Sequence, residues 1–160
     1  MCGVTGYINF DGAPASQAIL KDMTDLISHR GPDDEGYFTS GPVGLGHARL
    51  SIIDLSNAGK QPMKTSDDRF VLSYNGEVYN YKELRKELKS LGCSFYSATD
   101  SEVVLYAFSI WGIEAVEKFN GMFAFVIWDN REKKLYIARD RFGVKPIYYY
   151  FSKTSLIFAS

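Results

Sequence analysis

Met1-Cys2-Gly3-Val4-Thr5-Gly6-Tyr7-Ile8-Asn9-Phe10 opens the chain, and the rest is arranged around it. Val4 to Phe10 alternates and is rich in β-formers, with Asp11-Gly12 as a turn behind it, so the pattern predicts a strand. A strand there pins Cys2 to the edge of a sheet. Once Met1 is removed, Cys2 carries both a thiol and a free α-amine. The thiolate is the attacking species. An α-amine of pKa ~7.7–8.0 is partly unprotonated near neutral pH and can accept the thiol proton. A nucleophile activated by its own amine needs no separate histidine. The plainer alternative is a small residue beside an initiator methionine.

Composition narrows the class. With 160 residues, 46% hydrophobic and 15% aromatic, the chain suits one globular domain over 1–160 with a sizeable core. Its formal net charge is −1 and its 18 basic residues are scattered, which argues against nucleic acid or an anionic membrane surface as partner. The two cysteines, Cys2 and Cys93, suit free thiols in a reducing compartment. No apolar run nears the ~18 residues of a membrane span, and no signal peptide opens the chain. The expectation is a soluble, cytoplasmic protein.

Beyond Phe10, Ile19, Leu20, Met23, Leu26 and Ile27 have helical spacing, predicting a helix over Ser16 to His29. His29 to Gly36 reads as a polar loop, with Arg30 a candidate partner for an acid. His47 is the only other histidine, and no ligand spacing recurs, so no metal site is expected. Gly36 to Ser40 and Val43 to Ile53 read as strands. Arg49 interrupts the second and needs a partner if buried, either an internal salt bridge or a substrate carboxylate gripped by its planar fork.

Phe70 to Tyr74 and Val78-Tyr79 flank Asn75-Gly76-Glu77, and Asn-Gly between apolar runs signals a type I′ hairpin turn. The alternative is an oxyanion hole, in which the Asn amide and the Gly backbone N–H meet one developing charge. Asn80 and Glu83 form a capping-box pattern before a helix striped by Leu84, Leu88 and Leu91, and Cys93 follows in a short strand. Thr99-Asp100-Ser101-Glu102 opens another helix, ending at Gly112. Asp100 either complements the helix dipole or presents a carboxylate to a ligand ammonium. Ile113 to Phe119 reads as a short helix. Met122 to Trp128 with Leu135 to Arg139, and Ile147 to Phe151 with Ser155 to Ala159, read as hairpins. The alternating charges of Arg139 to Pro146 suggest local pairing. Helices and antiparallel hairpins come in groups, so the class is α+β.

Taken together, Cys2-Gly3, His29 to Gly36, Gly46 to Ile53, Tyr74 to Asn80, Thr99 to Leu105 and Ala138 to Pro146 resemble a class II glutamine amidotransferase domain. More narrowly, the chain is similar to the N-terminal glutaminase domain of glutamine-hydrolysing asparagine synthetases. The resemblance implies the N-terminal nucleophile hydrolase fold, a four-layer αββα sandwich of two antiparallel sheets between helices. It implies L-glutamine as substrate, with Cys2, Asn75 and Gly76 catalytic, and with Arg49, Ile52, Ile53, Glu77 and Asp100 binding substrate. It implies a C-terminal synthetase domain as partner, to which ATP and Mg would belong, so no cofactor is expected here; a homodimer is left open. The abrupt end of the last strand pattern, and the lack of a Ser-Gly-Gly-x-Asp-type loop, suggest a fragment of a longer chain. Competing expectations are another ammonia acceptor, such as a sugar phosphate, phosphoribosyl pyrophosphate or polysaccharide precursor, and a non-catalytic regulatory module of the same fold.

Overall fold

The strand after Cys2 is the middle strand of a sheet. In the computed structural model, which describes every residue from Met1 to Ser160, β1 (Gly3–Asn9) pairs antiparallel with β3 (Val43–Arg49) on one side and β9 (Ser155–Ala159) on the other. With β2 (Asp34–Ser40) and β8 (Tyr148–Phe151) at the edges, the order is β2-β3-β1-β9-β8. A second antiparallel sheet is built from β4 (Met63–Lys64), β5 (Phe70–Val78), β6 (Gly121–Asp129) and β7 (Lys134–Arg139), in that order.

Alternation of side chains gives each sheet two faces, and three layers of packing follow. Val4, Val43, Leu45 and Phe158 from the first sheet meet Val71, Val126 and Trp128 from the second. The opposite face of the second sheet, through Leu72, Tyr74, Phe125 and Ile127, carries α2 (Tyr81–Ser90) and α3 (Asp100–Trp111), through Leu84, Leu88, Val104 and Phe108. Each fully buried side chain of this size contributes roughly 1.5–3 kcal/mol by leaving water. On the outer face of the first sheet lies α1 (Gln17–Asp25), which buries Leu20. It approaches closely because β3 has Gly44 and Gly46 there: a Cβ would come within 2.8 Å of Leu20 Cδ1 and 2.5 Å of Thr24 Oγ1, respectively. The arrangement is the expected αββα sandwich. No helix is long and apolar enough to cross a membrane.

Several boundaries differ from the sequence reading. The first helix stops at Asp25, and a 3-10 turn over Ser28–Arg30 replaces its last predicted turn. β3 stops at Arg49, not Ile53, because its partners run out: Gly3 of β1 faces Ala48, and Asp34 of β2 faces Arg49. Asn80 does not cap α2; its amide donates to Lys118 O and its carbonyl accepts from Asn120 N, tying the helix to the loop before β6. Cys93 is not in a strand, since its N–H closes the end of α2 on Leu88 O. Ile113 to Phe119 is a 3-10 helix, Gly112–Lys118. The Thr99 cap is as expected, with its hydroxyl accepting from Glu102 N.

Candidate active site

β1 and β3 bring Cys2 against the loop that leaves β3. The Cys2 thiol donates to Leu50 O at 3.6 Å and its sulfur accepts from Leu50 N at 3.4 Å. Burial pushes this thiol up, while the Leu50 N–H, the terminal amine and Arg49 pull the other way. Arg30 pairs with no acid; its Nε donates to the Cys2 carbonyl at 3.3 Å.

Asn75-Gly76 is not a turn. β5 runs straight through it, paired with β6 from Phe70 opposite Asp129 to Val78 opposite Gly121. A hairpin would have needed the two halves of β5 to pair with each other, and β6 offers both a better-matched partner at full length. Gly76 is required for a different reason: a Cβ there would lie 2.5 Å from Met122 O and 2.7 Å from Phe123 Cα. Asn75 is 2% exposed, and its Nδ2 has no hydrogen-bond partner. An unpaired buried amide of this kind costs about 1–3 kcal/mol, and of the buried unpartnered groups, Arg30 Nη2, Tyr37 Oη, His47 Nδ1, Asn75 Nδ2 and Arg85 Nε, only that of Asn75 belongs to a residue lining the cleft with Cys2.

Asp100 lies in the first turn of α3 and is 4% exposed. Its Oδ2 accepts from the Tyr74 hydroxyl at 2.7 Å and from Val78 N at 2.9 Å. Burial pushes its carboxyl up, and those donors hold it back in part. The same burial and the Asp100 charge raise the Tyr74 hydroxyl well above its ordinary value. Arg49 is buried but forms no salt bridge. Its Nη1 donates to Ser56 O at 3.0 Å and its Nη2 to Asp54 O, so the guanidinium gathers the loop that follows β3. Asp54 secures that loop from the other side, accepting from Ser56 N and Ala98 N; the Ser56 hydroxyl first, then these two N–H groups, bring its carboxyl down to about 2. Ile52 and Ile53 stand on this loop, 62% and 40% exposed.

All eight residues singled out in the sequence line one open cleft of about 600 Å³, solvent at its mouth included. It also takes in residues that sequence reasoning missed. Gln61 accepts from Tyr74 N at 2.7 Å and donates to Ser101 Oγ at 3.3 Å, locking β5 to α3. Lys145 is only 5% exposed and reaches Met1 Sδ at 2.9 Å. The charged loop around it is organised by backbone, not by ion pairs. The Asp140 carboxylate accepts from Phe123, Phe142, Val144 and Lys145 N–H groups, which together outweigh the upward push of burial and leave its carboxyl below the usual range. A lone lysine in a charged loop carries no periodic signal that would have singled it out. His47 is fully buried, its Nε2 bonded to Tyr74 O at 3.0 Å, and burial takes its pKa down to about 4, so it is a neutral link between the sheets. No three His, Cys, Asp or Glu side chains converge on a metal-sized site. The cleft combines a thiol, an unpartnered amide donor, three carboxylate side chains (Asp54, Glu77 and Asp100) and two cations, a set suited to a small zwitterion carrying an attackable carbonyl.

Comparison with known proteins bears on the family and the fold. The family model described as a glutamine amidotransferase domain matches residues 1–160. The chain is 44% identical over 165 residues to asparagine synthetase [glutamine-hydrolyzing] 1 of Bacillus subtilis, covering all of this chain and 26% of that protein. It is 46% identical over 164 residues to asparagine synthetase [glutamine-hydrolyzing] 2 of the same organism, covering all of this chain and 21% of that one. The chain thus spans about a quarter of the length of these relatives. Among solved structures it is similar in fold to the glutamine phosphoribosylpyrophosphate amidotransferase of Bacillus subtilis, with a TM-score of 0.82 and 20% identity over 99% of this chain and 41% of that one.

Proposed function

The chain belongs to the glutamine amidotransferase domain family, and from that premise we propose that it hydrolyses the side-chain amide of L-glutamine to glutamate and ammonia, with Cys2 as nucleophile. The observation that carries this reading is the buried, unpartnered Nδ2 of Asn75 in the cleft that Cys2 lines. A donor left unsatisfied at that cost is explained by a charge that arrives only during reaction.

In this reading, removal of Met1 frees the Cys2 amine, which takes the Sγ proton as sulfur attacks Cδ, the carbonyl carbon of the side-chain amide. The amide oxygen becomes an oxyanion between Asn75 Nδ2 and the Gly76 N–H. Collapse of the tetrahedral intermediate expels the nitrogen, which takes the proton back from the Cys2 ammonium and departs as ammonia, leaving a γ-glutamyl thioester. Water, deprotonated by the same amine, attacks the thioester and releases glutamate. Arg49 meets the α-carboxylate and Asp100 the α-ammonium; the arriving cation favours the charged form of Asp100 and so opposes the effect of its burial. Glu77, Ile52 and Ile53 form the remaining walls.

The proposed destination of the ammonia follows the relatives: an ATP-dependent, asparagine synthetase-type domain that amidates aspartate, with ATP and Mg bound there and not here. The two free thiols, Cys2 and Cys93, support a cytoplasmic location. The test is glutamate and ammonia release from L-glutamine by protein whose Met1 removal is verified by intact mass. Release that disappears in Cys2→Ala is expected; equal release from Cys2→Ala would overturn the proposal.

A further inference from the structure

Lys145 is a buried ammonium without an anion. It is 5% exposed, lines the same cleft as Cys2, and takes part in none of the ion pairs of the protein. Its recorded side-chain contact is Met1 Sδ, at 2.9 Å. Burial of an uncompensated charge is costly, so a lysine that merely filled space would be replaced at a gain by an apolar residue of similar length. The position is also not a chance of a loose loop. Lys145 N is held at 3.0 Å by the Asp140 carboxylate, whose same Oδ2 accepts from Phe123 N at 3.2 Å, and Phe123 is the strand partner of Gly76. The loop that carries the ammonium is therefore fixed to the strand that carries Asn75 and Gly76.

Met1, whose sulfur lies against Lys145 Nζ, is the residue joined to the backbone nitrogen of Cys2, and all three residues line the same cleft. When Met1 leaves, the ammonium loses that sulfur contact and the nitrogen becomes a free amine at the same end of the cleft. We propose that Lys145 is the electrostatic tuner of the Cys2 α-amine, repelling its protonated form so that the amine stands ready as a base. This deepens the glutamine-hydrolysis reading and rests on it for its use in catalysis. Lys145 acts through Cys2 and not on the substrate, and Asp140 is the residue that positions it.

The other charges around Cys2 make such a cation useful. Asp54 after β3, Glu77 on β5 and Asp100 on α3 all face the cleft as carboxylates, each favouring a protonated amine. Against them stand Arg30, which donates to the Cys2 carbonyl, and Arg49, which donates to the loop carbonyls and whose charge already bears on the Cys2 thiol. The Tyr74 hydroxyl stays neutral. Lys145 adds a further cation, whose ammonium is bonded to neither a carboxylate nor a carbonyl.

The test is NMR titration of the Met1-processed protein labelled with [13C,15N]cysteine, which gives two residues to follow, Cys2 and Cys93. The wild-type Cys2 amine is expected to titrate below the ordinary ~7.7–8.0, and Lys145→Met and Lys145→Gln to raise it by about one pH unit or more. Lys145→Arg keeps the charge and should keep the wild-type titration. The acid limb of kcat/KM for glutamine should move with the amine, and the Cys93 signals should not. An amine that titrates alike with and without the Lys145 charge overturns the proposal; if neither neutral variant folds, a wild-type amine at or above the ordinary range does so. Cys2-dependent hydrolysis with an unmoved amine would sink this inference and leave the glutaminase reading standing. A moved amine without Cys2-dependent hydrolysis would do the reverse.

Discussion

The two walls of the cleft are held by opposite means. Tyr74 to Glu77 is a stretch of β5, bonded along β6 and braced from behind by Gln61 and Asp100. Leu50 to Ser56 has no strand partner and is gathered by one guanidinium donating to two carbonyls. The strand wall carries the unpartnered donor, and a donor meant for a developing charge has to be in place before the charge forms. The loop wall carries Ile52 and Ile53 and is tied to Arg49 at the end of β3, the group proposed to meet the substrate carboxylate, where a small adjustment on entry is tolerable. The unpartnered donor sits where strand pairing fixes the backbone, and the loop opposite is held by side chains, Arg49, Asp54 and Asp33.

Variants on each wall should separate in kinetics. On the strand wall, Asn75→Ala should lower kcat for glutamine by roughly 10²–10³-fold, with KM little changed. Because Nδ2 has no partner to lose, the melting temperature should hold or rise. A kcat within threefold of wild type would remove the oxyanion role and with it the contrast between the walls.

On the loop wall, Arg49→Lys should act mainly on KM. An ammonium cannot hold both carbonyls and still present a fork to a carboxylate. With hydrogen bonds to charged groups worth about 1.5–3 kcal/mol, KM should rise by about 10–100-fold, and kcat should fall less. An unchanged KM would count against the clamp.

Asp100 touches the strand wall from α3, and its effect should be smaller and pH-dependent. Burial raises its carboxyl, so the KM for glutamine should climb as pH falls through that raised value, and Asp100→Asn should flatten the acid limb. The stability effect has the opposite sense. A raised carboxyl favours the fold below the unfolded pKa of ~3.9 and loses that contribution as pH rises through the folded value. Asp100→Asn should therefore raise the melting temperature at pH 7 more than at pH 3, while weakening glutamine binding. A melting temperature lowered at pH 7 would show that the bonds from Tyr74 and Val78 outweigh the burial of the charge.

The same contrast explains what the sequence could and could not show. Layers, hairpins and helix faces were legible because alternation in β6 and the cap at Thr99 are local signals. Both walls were misread, in opposite directions. Asn75-Gly76 has the local chemistry of a turn and lies in a straight strand, because β6 offers a partner for the whole length of β5. Ser51-Ile52-Ile53 has the chemistry of a strand and lies in a loop, because β1 and β2 offer no partner past Arg49. Pairing is a property of distant segments, which local composition cannot carry. Cys2, Arg49, Asn75, Gly76 and Asp100 were open candidates from their own chemistry, Ile52, Ile53 and Glu77 came from the family resemblance, and the cleft brings all eight together. Gln61 lies outside the resembling stretches and Lys145 inside one, Ala138 to Pro146, that assigned it no role; what each does arises from what folding places beside it.

The most direct test of the account is covalent capture of the nucleophile. Met1-processed protein would be incubated with a glutamine analogue bearing an electrophilic ketone in place of the side-chain amide, then digested and mapped by mass spectrometry. The account predicts a single adduct on the peptide that begins with Cys2, formed in step with loss of hydrolysis and slowed by excess L-glutamine. Modification of Cys93 with Cys2 untouched, or full inactivation without an adduct on Cys2, would contradict it.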